Sequence, residues 1–331
     1  MRIIMVLAAA LLASAMTVPS RAADCSKLQI MGDVQMTRTK GGADLIPVKI
    51  NGKDAQLYFE TAQWLTVLSR KLVDDLKLPT FHGNVHMYDS MGNVSNESAS
   101  IQQFIFADMQ AKDVRFAISP SSEWSYGELG TNYLTPFDVD VDFGTDRMKL
   151  FSPDHCPGGV VYWADPASVA VVPMTLRSNA VTVPVTVDGR RLTAVIDSTG
   201  STEMWQEQAE NIFGLTMGSA DTPPLEGVTV PQGKEQKQVY THTFKTIAFG
   251  DITINNARVR IVPYVFSKVG DTNQQTGNRA RLNNQLFSSP EIYIGINVLR
   301  KLHVYFAFHE DKMYISPATP EQASAVSPPD K

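Results

Sequence analysis

The sequence predicts a mostly β protein built from two tandem copies of one lobe in a bilobal arrangement, with few short helices. Three observations carry this reading. Short β-branched or aromatic segments such as IPVKI, AQLYF, VPVTV, LTAVI, ARVRIVP, VDVDF and KMYI recur along the chain, bounded by turn pairs such as Asn51-Gly52 and Asp188-Gly189. Helical pattern is confined to 69–76, 205–213 and the turns after Gly130 and Gly295. Finally, one half of the chain can be laid on the other.

The repeat is read directly from the residues. IPVKINGKDAQLYFETA (46–62) matches VPVTVDGRRLTAVIDST (183–199), so Pro47, Val48 and Gly52 fall on Pro184, Val185 and Gly189, and Glu60 falls on Asp197 without a gap. Downstream, GTNYLTPFDVDVDFGTDRMKL from Gly130 matches GINVLRKLHVYFAFHEDKMYI from Gly295. The second half is longer between these blocks, and the excess sits in the polar stretch 267–289, where a surface loop is the economical place for it. The expected division is a leader at 1–23, lobes at 24–157 and 158–317 meeting near Pro157-Gly158-Gly159, and a disordered tail at 318–331 rich in Pro, Ala and Ser.

Composition excludes several classes. The 331 residues are 43% hydrophobic and 19% charged, unlike collagen, a coiled coil or a disordered chain. Lys plus Arg number 29 against 34 Asp plus Glu, so the basic excess of a nucleic-acid binder is missing and no such partner is expected. Arg2, the apolar run from Ile3 to Met16 and the small residues before Asp24 read as a secretory signal peptide, cut near Ala22 or Ala23. Its loss removes Arg2 and Arg21 and no acid, taking the net charge from -5 to -7. No later apolar run approaches the roughly 18 residues that span a bilayer, so no membrane span is expected. A periplasmic or secreted location follows. Cys25 and Cys156 are the only cysteines, and in an oxidising compartment they are expected to pair, two free thiols being the alternative. Asp24, standing where a lipoprotein needs a small residue, argues against a lipid anchor.

An apolar strand ending in an acid, followed later by a hydrophobic-hydrophobic-Gly loop and a short helix, resembles one lobe of a retropepsin-like or pepsin-like aspartic peptidase. Here LTAVID and EIYIGINVL carry the pattern, and it occurs twice, over about 43–316. The resemblance implies two acid-protease lobes sharing a cleft, with Glu60 and Asp197 as the catalytic carboxyl pair. Two carboxylates held close share one proton, one acting as base on a water and the other donating to the carbonyl oxygen. The turns depart from Asp-Thr/Ser-Gly. The first reads Glu60-Thr61-Ala62, and the second Asp197-Ser198-Thr199-Gly200, with Thr199 at the glycine position unless a one-residue bulge brings Gly200 there. Thr61 and Ser198 retain the hydroxyl that in the family bonds across between lobes. The segment 82–98 matches the family's flap, with Gly92 at its tip and Tyr88 as lid aromatic, and 225–240 is its counterpart. No cofactor is implied, a peptide or protein is the implied substrate, and an internal pair of lobes removes the need for a second chain, so a monomer is expected.

Rival chemistries find no motif. His82 and His86 have a metal-clamping spacing only on a helix, which Gly83 and Asn84 oppose, so no metal is expected. His155, His242, His303 and His309 are scattered and no Gly-x-Ser-x-Gly elbow accompanies them. No phosphate-binding glycine loop is present. The alternation of Asp138, Asp140 and Asp142 with Val139, Val141 and Phe143 reads as the wet face of a half-buried strand. Two functions remain: an aspartic endopeptidase, or an inactive pseudo-protease that binds peptides or acts as a scaffold.

Overall fold

The computed structural model describes residues 27–88, 94–120, 125–177, 180–232, 235–263 and 290–319. The leader, Cys25, Gly92, the stretch 267–289 and the tail beyond Thr319 lie outside the described residues. The first half forms β1 (Ile30–Gln35), β2 (Thr37–Arg38), β3 (Asp44–Ile50), β4 (Lys53–Phe59), β5 (Val67–Leu68), helix α1 (Arg70–Leu76), β6 (Thr80–Tyr88), β7 (Val94–Phe106), β8 (Met109–Ile118), β9 (Gly127–Leu129), α2 (Thr131–Leu134), β10 (Asp138–Asp142) and β11 (Arg147–Phe151). The second forms β12 (Ala170–Pro173), β13 (Thr175–Arg177), β14 (Ala180–Val187), β15 (Arg190–Ile196), β16 (Glu203–Trp205), α3 (Gln206–Phe213), β17 (Pro224–Gln232), β18 (Glu235–Phe249), β19 (Ile252–Val262), β20 (Ile292–Ile294), α4 (Ile296–Leu299), β21 (Leu302–Ala307) and β22 (Lys312–Pro317). The expected short helices are all present.

Strand order shows the duplication at the level of topology. One eight-stranded sheet runs β2-β3-β4-β9-β5-β8-β7-β6 and the other β13-β14-β15-β20-β16-β19-β18-β17, which is the same order position by position. A six-stranded sheet, β1-β11-β10-β21-β22-β12, takes three strands from each half and joins them at β10 and β21. The fold is thus mostly β and bilobal, as the sequence predicts.

Local chemistry explains the matching. Asn51 and Gly52 have φ of 50° and 78°, and Asp188 and Gly189 have 42° and 78°, the left-handed pair that suits a tight two-residue hairpin. The side chains of Asn51 and Asp188 then accept from the main-chain N–H of Gln103 and Thr246, at 3.0 and 2.7 Å, pinning each hairpin to the long strand beside it. Alternation along β3 and β4 sends Ile46, Val48, Ile50, Leu57 and Phe59 inward. One continuous apolar cluster runs through both halves. Phe59 meets Phe143 and Phe306 at its centre, at ring-centroid separations of 6.3 and 6.5 Å. Arg300 ties the halves from the rim, reaching the carbonyls of Gly42 and Phe143 and the carboxylates of Asp44 and Asp146. Burial pushes the Asp44 carboxyl up to about 6 although Arg300 opposes the shift.

One expectation is corrected. Asp138, Asp140 and Asp142 are 0%, 3% and 8% exposed, so their face of β10 is covered. The cover is the connecting segment 152–169, whose Val160, Val161, Trp163 and Val169 pack with Phe151, Tyr305 and Tyr314. The charges are tolerated because each finds a partner: His155 for Asp138, His303 and Tyr162 for Asp140, and the N–H of Gly144 for Asp142. His155 and His303, far apart in sequence, therefore converge on the same strand. Among the described residues no helix is long and apolar enough to cross a membrane.

Removing one partner of a buried ion pair leaves the other charge uncompensated. We expect Arg300→Ala to cost about 3–5 kcal/mol in denaturant unfolding.

Candidate active site

Each acid stands just past the end of a strand that pairs in parallel with a short strand leading into a glycine. β4 lies beside β9 and β15 beside β20, and the chain leaves these partners through Gly130 and Gly295. Both glycines have extended backbones, φ -78° and -98°, so conformational freedom is not what selects them. Space is. A Cβ on Gly130 would sit 2.5 Å from the carbonyl oxygen of Trp64, and one on Gly295 2.1 Å from the carbonyl carbon of Ser201. The acid loops are then held by matching bonds: Asn132 Oδ1 accepts from Thr66 N at 3.1 Å and Asn297 Oδ1 from Thr202 N at 2.7 Å.

These bonds correct the gap-free superposition of the two halves. Gln63 O and Gly200 O accept equivalent bonds from Thr131 N and Ile296 N, yet Thr66 corresponds to Thr202. The first loop therefore holds one extra residue at 64–65, and α3, at 8 residues against 7 for α1, restores the register. Opposite shifts cancel, which is why the sequence aligned without a break.

The two loops cross-bond. Thr61 Oγ1 donates to Ile196 O at 2.7 Å, and Ser198 Oγ donates to Phe59 O at 2.6 Å while accepting from Thr61 N at 3.1 Å. Each hydroxyl closes a strand end in the opposite lobe. All four groups are buried.

This crossing brings Glu60 and Asp197 together around Thr199. Its hydroxyl lies 2.6 Å from Glu60 Oε2 and 3.1 Å from Asp197 Oδ1. Glu60 Oε1 turns back onto the N–H of Ala62 at 2.5 Å, which takes up its additional methylene. Asp197 Oδ1 accepts from the N–H groups of Thr199 and Gly200 at 3.0 and 2.7 Å. Ala62 and Thr199 thus hold matching places in the turns. Gly200 follows as the residue over which the Asp197 carboxylate folds, since a Cβ there would lie 2.4 Å from Oδ2.

Sequence reasoning missed a third acid, Glu128. It pairs with Tyr58 in register, so by alternation Glu128, Tyr58 and Glu60 share the face turned away from Leu57 and Phe59. Its Oε2 accepts from Gln63 Nε2 at 2.9 Å. The signal was there: in the repeat Glu128 falls on Tyr293, a charge in a strand otherwise apolar before its glycine. In the other lobe Glu203 pairs with Tyr293 and with Arg260, whose guanidinium is 3.8 Å away. Burial, then Asp197, then Glu128 hold the Glu60 carboxyl well above the usual range despite its bonds to Thr199 and Ala62. Burial and Asp197 push Glu128 up to about 7. Burial also raises Glu203, Arg260 notwithstanding. Glu60, Glu128 and Glu203 therefore all hold their protons more tightly than ordinary glutamates.

Other expected features fall further out. Tyr88 ends β6 in the β6–β7 hairpin, and β17–β18 forms the corresponding hairpin in the second half. His82 and His86 lie on β6, a strand, and His82 Nδ1 sits 3.1 Å from Asn96 Oδ1. Among the described residues no group of three or more His, Cys, Asp or Glu side chains is arranged to hold a metal ion.

Residues 46–133 match a family model described as aspartyl protease, a span that holds Glu60, the β6–β7 hairpin, Glu128 and Gly130. Basic 7S globulin from soybean, a solved structure, aligns with 88% of this chain and 96% of its own at 9% identity and a TM-score of 0.44. No curated protein matches the sequence. The match to that family model supports a peptidase-like function at that level.

Ser198→Ala strands the Phe59 carbonyl and the Thr61 N–H in a buried setting. We expect a loss of about 1–3 kcal/mol, read by chemical denaturation.

Proposed function

We propose that the chain is an exported aspartic-type endopeptidase in which Glu60 and Asp197 share one proton and activate a water against a peptide bond in the cleft between the lobes. The observation that carries this is the Thr199 hydroxyl set between the two carboxyl groups. A hydroxyl has one proton to give, so satisfying both contacts requires a proton on one of the acids. Burial and its acidic neighbours raise the proton affinity of Glu60, which makes it the acid of the pair, while Asp197 Oδ1 accepts from two main-chain N–H groups and is left to serve as the base.

The chemistry then follows. With peptide bound, the Thr199 side chain turns aside and a water takes the place of its hydroxyl. Asp197 removes a proton from that water as its oxygen bonds to the carbonyl carbon, and Glu60 gives its proton to the carbonyl oxygen. Collapse of the resulting diol breaks the C–N bond, the proton on Asp197 passes to the leaving nitrogen, and Glu60 takes one back from a diol hydroxyl. Removal of the leader at 1–23, a Cys25–Cys156 disulfide, a periplasmic or secreted location and a monomeric state belong to the same reading.

A second reading is favoured by the same threonine. If its hydroxyl stays between the acids it excludes the water, and the cleft holds peptides without cutting them.

Purified mature protein is expected to cleave an unfolded protein substrate best at acid pH. Asp197→Asn should lower the rate at least about a hundredfold, and undiminished cleavage by that variant refutes the assignment. Thr199→Gly should raise it about tenfold by admitting water. Peptide binding without cleavage by either the wild type or Thr199→Gly establishes the second reading. Glu128→Gln removes a negative neighbour from Glu60, lowering its proton affinity. The alkaline limb of the pH–rate profile should therefore move to lower pH.

A further inference from the structure

The face of the six-stranded sheet that carries the aspartates of β10 is covered by 152–169, the segment joining the two halves. Trp163 stacks on His303 at 4.5 Å and 10° and on Tyr305 at 6.0 Å and 8°, and Tyr162 donates to Asp140. Near the start of this strap stands His155, 7% exposed, whose Nε2 is 2.6 Å from Asp138 Oδ2 and whose Nδ1 is 3.2 Å from Cys156 O. A carbonyl accepts and does not donate, so Nδ1 carries hydrogen. The 2.6 Å contact on the other side needs a second proton between Nε2 and Oδ2, because a neutral imidazole has only one N–H.

The surroundings favour that proton. Glu310 Oε1 lies 3.9 Å from His155 Nδ1, and Tyr314, Lys312 and the N–H of Gly158 bind the Glu310 carboxylate in turn. From β21, the Tyr305 hydroxyl is 3.4 Å from Asp138 Oδ2. His309 Nδ1 is 3.7 Å from Asp138 Oδ1, and Asp140 follows two residues along β10. Near the imidazole the acids outweigh the cations.

We propose that the His155–Asp138 pair is an acid-dependent clasp, which fastens the 152–169 strap to the sheet joining the lobes while the pair keeps its proton and releases the strap when that proton leaves. Burial alone lowers the imidazole's proton affinity, but the Asp138 and Cys156 hydrogen bonds and the Asp138 and Glu310 charges outweigh it, and the net shift is upward. In the unfolded chain histidine titrates near about 6.5. The clasp's contribution is thus complete below that pH, falls up to about tenfold in folding constant per pH unit above it, and vanishes once pH passes the folded value. The inference rests on the sheet and strap alone, whether or not the cleft cleaves peptides.

The test uses the mature chain labelled with nitrogen-15 at histidine. Both His155 ring nitrogens should appear protonated at about pH 5.5 and one should lose its proton above neutrality. Amide exchange across 152–169, corrected for intrinsic rates, should be at least about tenfold slower at the acid end. His155→Asn should remove that pH dependence from the strap. A single neutral tautomer at pH 5.5, or strap protection equal at both ends of the range, overturns the proposal. Both readouts are made on the wild type, so they decide the matter even if His155→Asn fails to fold.

Discussion

A strand that ends in a protein interior leaves a carbonyl that must find a donor. At the ends of β4 and β15 those carbonyls belong to Phe59 and Ile196, and each is satisfied by a hydroxyl from the opposite lobe. Neither acid turn is complete by itself. The crossing of Ser198 and Thr61 makes the position of Glu60 depend on the second half and that of Asp197 on the first. The apolar contact of Phe59 with Phe143 and Phe306, and the reach of Arg300 across the rim, serve the same registration from a distance.

Much of this was legible in the residues because backbone geometry demands particular side chains. Asn51-Gly52 and Asp188-Gly189 announce their hairpins since Asn or Asp followed by Gly readily takes two left-handed conformations in succession. Gly130 and Gly295 announce themselves because any Cβ would strike the acid loop. What sequence obscured has physical reasons as well. The extra residue at 64–65 was hidden by a longer α3, since register in sequence sums over insertions and only hydrogen bonds locate them. Asp138, Asp140 and Asp142 looked wet because alternation reports which residues share a face, whereas what covers the face depends on the path of 152–169. Glu128 was passed over because a short strand before a glycine reads as core.

The carboxyl groups around Asp197 show how environment outweighs residue type. Glu60, Glu128 and Glu203 have their proton affinities raised, first by burial. Asp197 supplies charge to all three and gathers the main-chain N–H groups. The altered third positions of the two turns fit that logic: Ala62 gives Glu60 the same N–H that Thr199 gives Asp197, and only Gly200, one place later, is needed for space.

The sheet that joins the halves has a consequence of its own. Its ladder between β10 and β21 pairs Val139 with Phe306 and Val141 with Val304, with three strands contributed from either side. Those bonds need two neighbouring strands and are indifferent to whether a peptide link runs between them. The molecule therefore carries the approximate twofold symmetry of a homodimer within one polypeptide. Freed from strict identity, one copy was able to place an acid at 128 where the other has an aromatic at 293, an asymmetry that two identical subunits cannot have.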